Sequence, residues 1–345
     1  MATRNIRMKL SRILIFVAQR FGTTLRNEAG NKLCRAFVVT WRGNIHLIGL
    51  PRTIQLRPVP TIRKRISYWH QSVVWEQAGE PDFPRFDVPV PKTVPAKCCH
   101  VIISHLPPSG TSEVFKLWKE SDPNSLVLIA YGGTEENFRN LSPSVSSIWV
   151  SDPTLRTVDH ARERQQYTGV FRAATTWLKE NGPDITHVHV VEFDVIPATQ
   201  HSGAHLVSAI AAEDADMLGY GALDISGTIH PHNSLELANT EFLGFLEATS
   251  RREVKTRLLT MLGCSTFWTR ECFESISTLS SPRVYLEIGM PTLAHHMGFR
   301  VRPMPTQQQR FVTFEGDFTS NIEEFRSQGA WVIHPCKKHW NQPTI

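Results

Sequence analysis

"THVHVVEFDVIP" (Thr186–Pro197) decides how this chain is read. Val188, Val190 and Val191 form the apolar run expected of a buried strand, and the run stops on two carboxylates, Glu192 and Asp194, shortly before Pro197. Side chains two apart on a strand point the same way, so both acids share a face where the chain leaves the sheet. Hard divalent cations bind through one or two carboxylates plus substrate phosphate oxygens, and a short acid-x-acid element suits that role. Alone, the pattern is common in solvated turns. Here a long helical pattern, the loop "NGPDITH", the strand, the acids, Pro197 and a further helix follow in order.

Working outward, Tyr167, Val170, Phe171, Ala174, Trp177 and Leu178 recur at helical spacing and predict a helix ending near Asn181-Gly182. Earlier, "CCHVIISHLPPS" (Cys98–Ser109) predicts a strand that breaks at a Pro-Pro loop. "TSEVFKLWKES" (Thr111–Ser121) predicts an amphipathic helix capped by Thr111, and "SLVLIAYGG" and "SSIWVSD" predict two more strands. Later come a helix over Ala204–Glu213, a strand in "ADMLGYGA", and a charged helix over Leu235–Leu259. "LGCSTFWTRECFESI" and "VYLEIGMPTLAHHMGFRVRPMP" complete the series. Strands alternating with helices predict an α/β fold, a Rossmann-like mostly parallel sheet flanked by helices, which binds ligands at the carboxyl ends of its strands.

The first part of the chain has a different texture. Residues 1–65 carry 14 Lys and Arg against one acid, Glu28, so they are +13 within a chain of net charge +5, and the remainder is −8. Such a leader resembles a transit peptide or a surface for anionic lipid, which would give peripheral contact with an anionic membrane, and the alternative is a solvated extension. It lacks interleaved aromatics and any nucleic-acid motif, so no nucleic acid is expected as a partner. "AFVVTW-RGN-IHLIGL" (Ala36–Leu50) reads as a hairpin. "PDFPRFDVPVPKTVP" (Pro81–Pro95) carries five prolines and reads as a linker. The expected organisation is therefore a basic extension and linker over 1–95 and one α/β domain over 96–345. The most apolar run, "ILIFVA" (Ile13–Ala18), falls far short of the roughly 20 residues a membrane span needs. Six cysteines without a C-x-x-C pair predict reduced thiols and a cytoplasmic protein.

The order of these motifs resembles the GT-A-type glycosyltransferases, the nucleotide-diphospho-sugar transferases, over roughly Cys98–His339. Glu192-Phe193-Asp194 is similar to that family's Asp-x-Asp, with Glu in the first place. The resemblance implies that Asp194 binds the metal and that Glu192 contacts the donor ribose or the metal's water. "LGCSTF" is similar to a glycine-bearing segment that lets backbone approach a sugar or phosphate. "YLEIG" is similar to the x-Glu-Asp element that places the catalytic base, which makes Glu287 the base, with Ile288 where Asp often stands. His334 in "WVIHP" matches a late histidine that returns to the metal. The ends of the first three strands imply a donor floor of His105, Tyr131 (stacking on a base) and Asp152, with Arg172 offsetting diphosphate charge. Mn2+ or Mg2+ is the implied cofactor. The implied function is metal-dependent, inverting transfer of a sugar from a nucleotide-diphospho-sugar donor to an unknown carbohydrate, lipid or protein acceptor. The alternative is a non-catalytic nucleotide-sugar or glycan-binding protein on the same fold. His187, His189 and the "IHPH" pair are expected to pack or be solvated, and no P-loop, G-x-S-x-G or G-x-G-x-x-G motif follows a first strand.

Overall fold

The computed structural model describes residues 97–340, apart from 158, 227–229, 231, 234–235 and 237–238, together with three short strands nearer the N-terminus. These are β1 (Ala36–Val39), β2 (Ile45–Ile48) and β3 (Gln55–Leu56), an antiparallel sheet in which Ala36 pairs with Ile48. The expected hairpin is therefore present. The rest of the basic leader and the proline-rich linker over 81–95 lie outside the described residues. The chain separates into two compact units. One gathers Met1–Asp82, Leu223–Glu247 and Thr256–Leu259; the other holds Phe83–Ala222, Ala248–Lys255 and Thr260–Ile345.

The second unit is built on a seven-stranded mixed sheet. Its strands and helices run β4 (Cys98–Ser104), α1 (Pro108–Ser121), β5 (Leu126–Tyr131), α2 (Glu135–Arg139), β6 (Ser147–Trp149) and α3 (Thr168–Asn181), then β7 (His187–Glu192), β8 (Ile196–Pro197), α4 (Ser202–Ala212) and β9 (Met217–Gly219). The next elements in the chain, β10 (Leu223–Asp224), most of α5 (Thr240–Thr249) and the start of β11 (Leu259–Thr260), belong to the first unit; the second resumes with β12 (Ser265–Thr269), α6 (Arg270–Ser277), α7 (Leu286–His296), β13 (Val301–Pro303), α8 (Thr306–Gln309), α9 (Ile322–Ser327) and β14 (Val332–Ile333). The sheet order is β13-β9-β12-β7-β4-β5-β6, and β12 alone runs against its neighbours. This is the expected Rossmann-like α/β architecture. All seven residues of β4 are buried, the signature of a central strand covered on both faces.

Chain direction leaves β4 toward β5 and β6 on one side, while β7 lies on the other. The carboxyl ends of β4 and β7 therefore flank a topological switch point, where open α/β sheets form crevices. Because β12 is antiparallel, its start reaches the same edge, with Ser265 opposite Val191. The core around these strands is closed by Trp118, Phe171, Phe267, Trp268 and Phe273, all essentially fully buried.

Two elements differ from expectation. The first helix begins at Pro108, whose fixed φ suits the first turn, and Thr111 is inside it, its hydroxyl donating to the Leu106 carbonyl at 3.1 Å. The charged helix expected over Leu235–Leu259 spans Thr240–Thr249. Past that point tertiary partners take over: the Arg251 N–H donates to the His296 carbonyl and Arg252 Nε donates to that of His295, both at 2.8 Å. Among the described residues no helix is long and apolar enough to cross a membrane. The five described cysteines are buried free thiols.

Candidate functional site

At the end of β7 the chain turns through Phe193 and Asp194 into β8, which pairs antiparallel with β14 so that Ile196 faces Ile333. That pairing delivers His334 to the acids, and the Cys336 N–H donates to the Asp194 carbonyl at 2.9 Å. One ligand atom each from Glu192, Asp194 and His334 lies within 4.8 Å of the others. His334 Nε2 is 3.5 Å from Asp194 Oδ1. On the other side of the ring, Nδ1 hydrogen-bonds the Thr313 carbonyl at 2.7 Å, which fixes Nδ1 as the protonated nitrogen of the neutral ring and aims Nε2 at the acids. Asp194 is 3% exposed, and its Oδ1 has no hydrogen-bond partner. A buried, unsatisfied carboxylate oxygen is costly, and a cation between it, Glu192 and His334 removes the cost. The donor set thus fits a divalent metal.

Electrostatics within the cluster follow from crowding. Burial raises the pKa of Glu192 above the usual carboxylate range, and the charge of Asp194 adds to the rise; the Tyr167 hydroxyl, donating to Glu192 Oε1 at 2.5 Å, works the other way. Burial disfavours charge on His334, but negative charge nearby, on Cys264 when ionised and on the Asp194 carboxylate, more than offsets it and raises the ring's pKa. A bound dication would do what that proton does, with the imidazole then neutral and acting as a ligand.

Glu287 reaches this edge from another direction. It is in the first turn of α7, and its Oε1 accepts the Gly263 N–H at 3.4 Å, while the neighbouring Cys264 carbonyl accepts the Glu192 N–H at 2.9 Å. One loop thereby ties Glu287 to the acids. Burial raises its pKa to about 7, against the Gly263 N–H and the Tyr285 hydroxyl, which lower it. Ile288 is fully buried beside it in sequence. Gly263 was expected to make room for a ligand. A Cβ there would stand 1.9 Å from Leu286 Cδ1, so the missing side chain admits the start of α7.

The donor-side residues are scattered. His105 is exposed at the end of β4 and packs edge-on against Phe193, ring centroids 4.7 Å apart, beside the acids. Asp152 is half-buried after β6, its Oδ2 3.1 Å from where a Cβ of Gly169 would be, against the first turn of α3. Arg172 is exposed on the side of α3 away from its buried stripe of Val170, Phe171, Ala174, Thr175 and Leu178. Tyr131 is a correction. Its ring has no exposed surface and its hydroxyl donates to the Leu106 carbonyl at 2.9 Å, so it cannot stack on a base. His189 packs as expected, bridging His100 at 3.1 Å and the Ser265 hydroxyl at 3.0 Å. Sequence reasoning assigned no site role to Tyr167, Tyr285 or Cys264; nothing in their local pattern separates a core tyrosine or cysteine from one that supports a carboxylate.

No known protein family matches the chain, and no curated protein does so either. Similar solved structures include a mannosyltransferase, PcManGT from Pyrobaculum calidifontis in complex with GDP-Man and Mn2+ (14% identity, 70% of this chain and 62% of that one, TM-score 0.36). Another is the bifunctional IspDF from Campylobacter jejuni (8% identity, 66% and 54%, TM-score 0.37). A third is the mannosyltransferase Ktr4p from S. cerevisiae (11% identity, 70% and 78%, TM-score 0.32). The chain spans less than two thirds of the first two proteins. Scores and identities this low leave the functional reading to rest on the residues described above.

Proposed function

We propose that the chain is a metal-dependent glycosyltransferase that moves a sugar from a nucleotide-diphospho-sugar to an acceptor hydroxyl with inversion. The observation that carries this reading is the buried Oδ1 of Asp194, which accepts no hydrogen bond, stands 3.5 Å from His334 Nε2 and lies within ligand distance of Glu192 and His334 at the switch point of the sheet. Asp194, Glu192 and His334 hold Mn2+ or Mg2+, which when bound neutralises charge on a departing diphosphate. Tyr167 orients Glu192, and the Thr313 carbonyl orients His334. Glu287 accepts the proton of the acceptor hydroxyl. A base with a pKa of about 7 is half ionised near neutrality and still basic enough to take that proton. His105, Asp152 and Arg172 lie toward the donor. In this reading residues 96–345 form the transferase domain, and the basic extension contributes membrane contact.

The test is to incubate the full chain with a panel of nucleotide-diphospho-sugars and Mn2+, and to measure release of the nucleoside diphosphate. Cation-dependent release that a chelator abolishes is expected for at least one donor. A donor that binds with the cation but is never turned over, with acceptors supplied, replaces the transferase with a nucleotide-sugar-binding protein. If no donor binds, the reading fails.

A further inference from the structure

A row of buried polar groups crosses the middle of the sheet and has no part in the chemistry proposed above. His100 on β4 and His189 on β7 are register partners, so their rings leave the same face, and their Nδ1 atoms are 3.1 Å apart. At one end His100 Nε2 meets Asp122 Oδ2 at 3.0 Å; at the other His189 Nε2 meets the Ser265 hydroxyl at 3.0 Å. His100, His189 and Ser265 have no exposed surface, and Asp122 is 2% exposed. Trp118 of α1 packs on both rings, its centroid 4.6 Å from that of His100 and 5.6 Å from that of His189. The Gly203 N–H at the start of α4 donates to Asp122 Oδ2 at 2.7 Å. A Cβ on Gly203 would stand 2.7 Å from that oxygen, so the missing side chain lets α4 close over it. The row thereby joins β4, β7 and β12 to the two helices that cover them.

The protons of this row limit its charge. Burial works against the Asp122 carboxylate, but His100, the Gly203 N–H and Ser125 hold its pKa below the usual range, so it is ionised and His100 Nε2 carries a proton. Only one proton fits between two Nδ1 atoms 3.1 Å apart. With that proton on His189, both rings are neutral and Ser265 donates to His189 Nε2. One more proton makes His100 an imidazolium paired with Asp122 and turns His189 Nε2 into the donor toward Ser265. A second would set two N–H groups against each other in a buried place. Burial and the charge of His100 accordingly hold the His189 pKa well below the usual imidazole value, against the pull of Asp122. The other titratable groups around the pair are Cys98 on β4, whose thiol burial keeps protonated, and His201 at the start of α4, half-exposed with Nδ1 3.9 Å from Asp122 Oδ1. On α1, the Lys119 ammonium donates to the Ser125 carbonyl at 3.0 Å, and on the β12 side His187 stacks on Phe267.

We propose that the His100 and His189 pair is an acid-sensitive latch on the centre of the sheet: it takes one positive charge and no second, and a second proton breaks the Nδ1–Nδ1 contact and opens the strands that carry the site. Glu192 lies three residues beyond His189, and Ser265 follows Cys264, whose carbonyl accepts the Glu192 N–H at 2.9 Å. The latch does not depend on which cation or substrate the acids bind. Unfolded, both histidines take up protons below about pH 6.5; folded, the pair takes at most one. The unfolded chain therefore binds more protons in acid, so the pair's contribution to stability is complete above about pH 6.5 and falls as the pH drops below it. A difference of one proton raises the unfolding equilibrium constant about tenfold per pH unit.

The experiment compares denaturant unfolding of the full chain and of His189→Asn from about pH 8 down to about pH 5. Asparagine keeps a nitrogen donor for His100 Nδ1 and cannot take a second proton. The wild-type unfolding constant should rise more steeply than the variant's below about pH 6.5, by up to about tenfold per pH unit. His187, which burial holds to about 4, is present in both proteins and cancels from the comparison. Parallel curves overturn the latch. Nitrogen NMR of the histidine-labelled wild type decides the matter if the variant does not fold: a scalar coupling between the two Nδ1 nuclei across their shared proton is expected, persisting in acid until the native signals vanish. No coupling at neutral pH, or a His189 ring that gains its second proton near pH 6.5 while the native signals remain, overturns the proposal.

Discussion

Asp194→Asn is the perturbation on which most depends. The asparagine keeps the shape of the carboxylate but removes its charge, including that on the buried Oδ1, which accepts no hydrogen bond and stands 3.5 Å from His334 Nε2. A ligand that binds only the folded state stabilises it by RT ln(1 + [L]/Kd), about 2.7 kcal/mol at a hundred times Kd. For a unit of this size about 1 kcal/mol moves the melting temperature by roughly 2–4 °C. Wild-type protein should therefore melt about 5–10 °C higher in saturating Mn2+ than in chelator. If the variant loses about a hundredfold in affinity, the same cation concentration equals its Kd, and the stabilisation falls to about 0.4 kcal/mol, roughly 1 °C. The assay is a thermal melt of both proteins across a Mn2+ titration. An equal shift in the two, or none in the wild type at millimolar Mn2+, refutes the cation site.

Glu287→Gln should leave donor binding intact and lower transfer by roughly 10²–10⁴, the range for a lost general base. Because burial holds the Glu287 carboxyl up to about 7, its base form fills as pH rises; the wild-type rate should climb through pH 7 and the glutamine variant should lack that limb. Tyr167→Phe removes the hydroxyl donating to Glu192 Oε1 and should weaken Mn2+ affinity about 10–100-fold by calorimetry, as expected for a partner that orients a ligand. Unchanged affinity would return Tyr167 to a packing role. Gly263→Ala drives a Cβ into Leu286 and should cost about 1–3 kcal/mol in a denaturant melt, with most of the loss recovered in the Gly263→Ala, Leu286→Ala double variant if that contact is the cause. Removal of residues 1–65 should abolish partitioning to acidic vesicles at low salt and leave Mn2+ binding unchanged; unaltered partitioning would end the membrane role of the basic leader.

The sequence by itself determined the repeating texture of the second unit. Period-two and period-3.6 patterns are local, so the strands at Cys98–Ser104, Leu126–Tyr131 and His187–Glu192 and the helix over Thr168–Asn181 were legible, as was the position of Glu192 and Asp194 at a strand end. The late histidine and the glutamate of α7 were legible only through motif order. Tertiary structure alone decided what these groups meet. Whether a strand-end aromatic such as Tyr131 faces a crevice or a helix depends on which layer covers that face, and here its hydroxyl is closed off against Leu106. Tyr167 and Glu192 are 25 residues apart, and Asp194 and His334 meet only because β14 pairs with β8. The Glu192 N–H reaches the Cys264 carbonyl only because β12 runs antiparallel beside β7. Sheet order and strand direction arise from the joint burial of many distant side chains, and no short window of residues contains them.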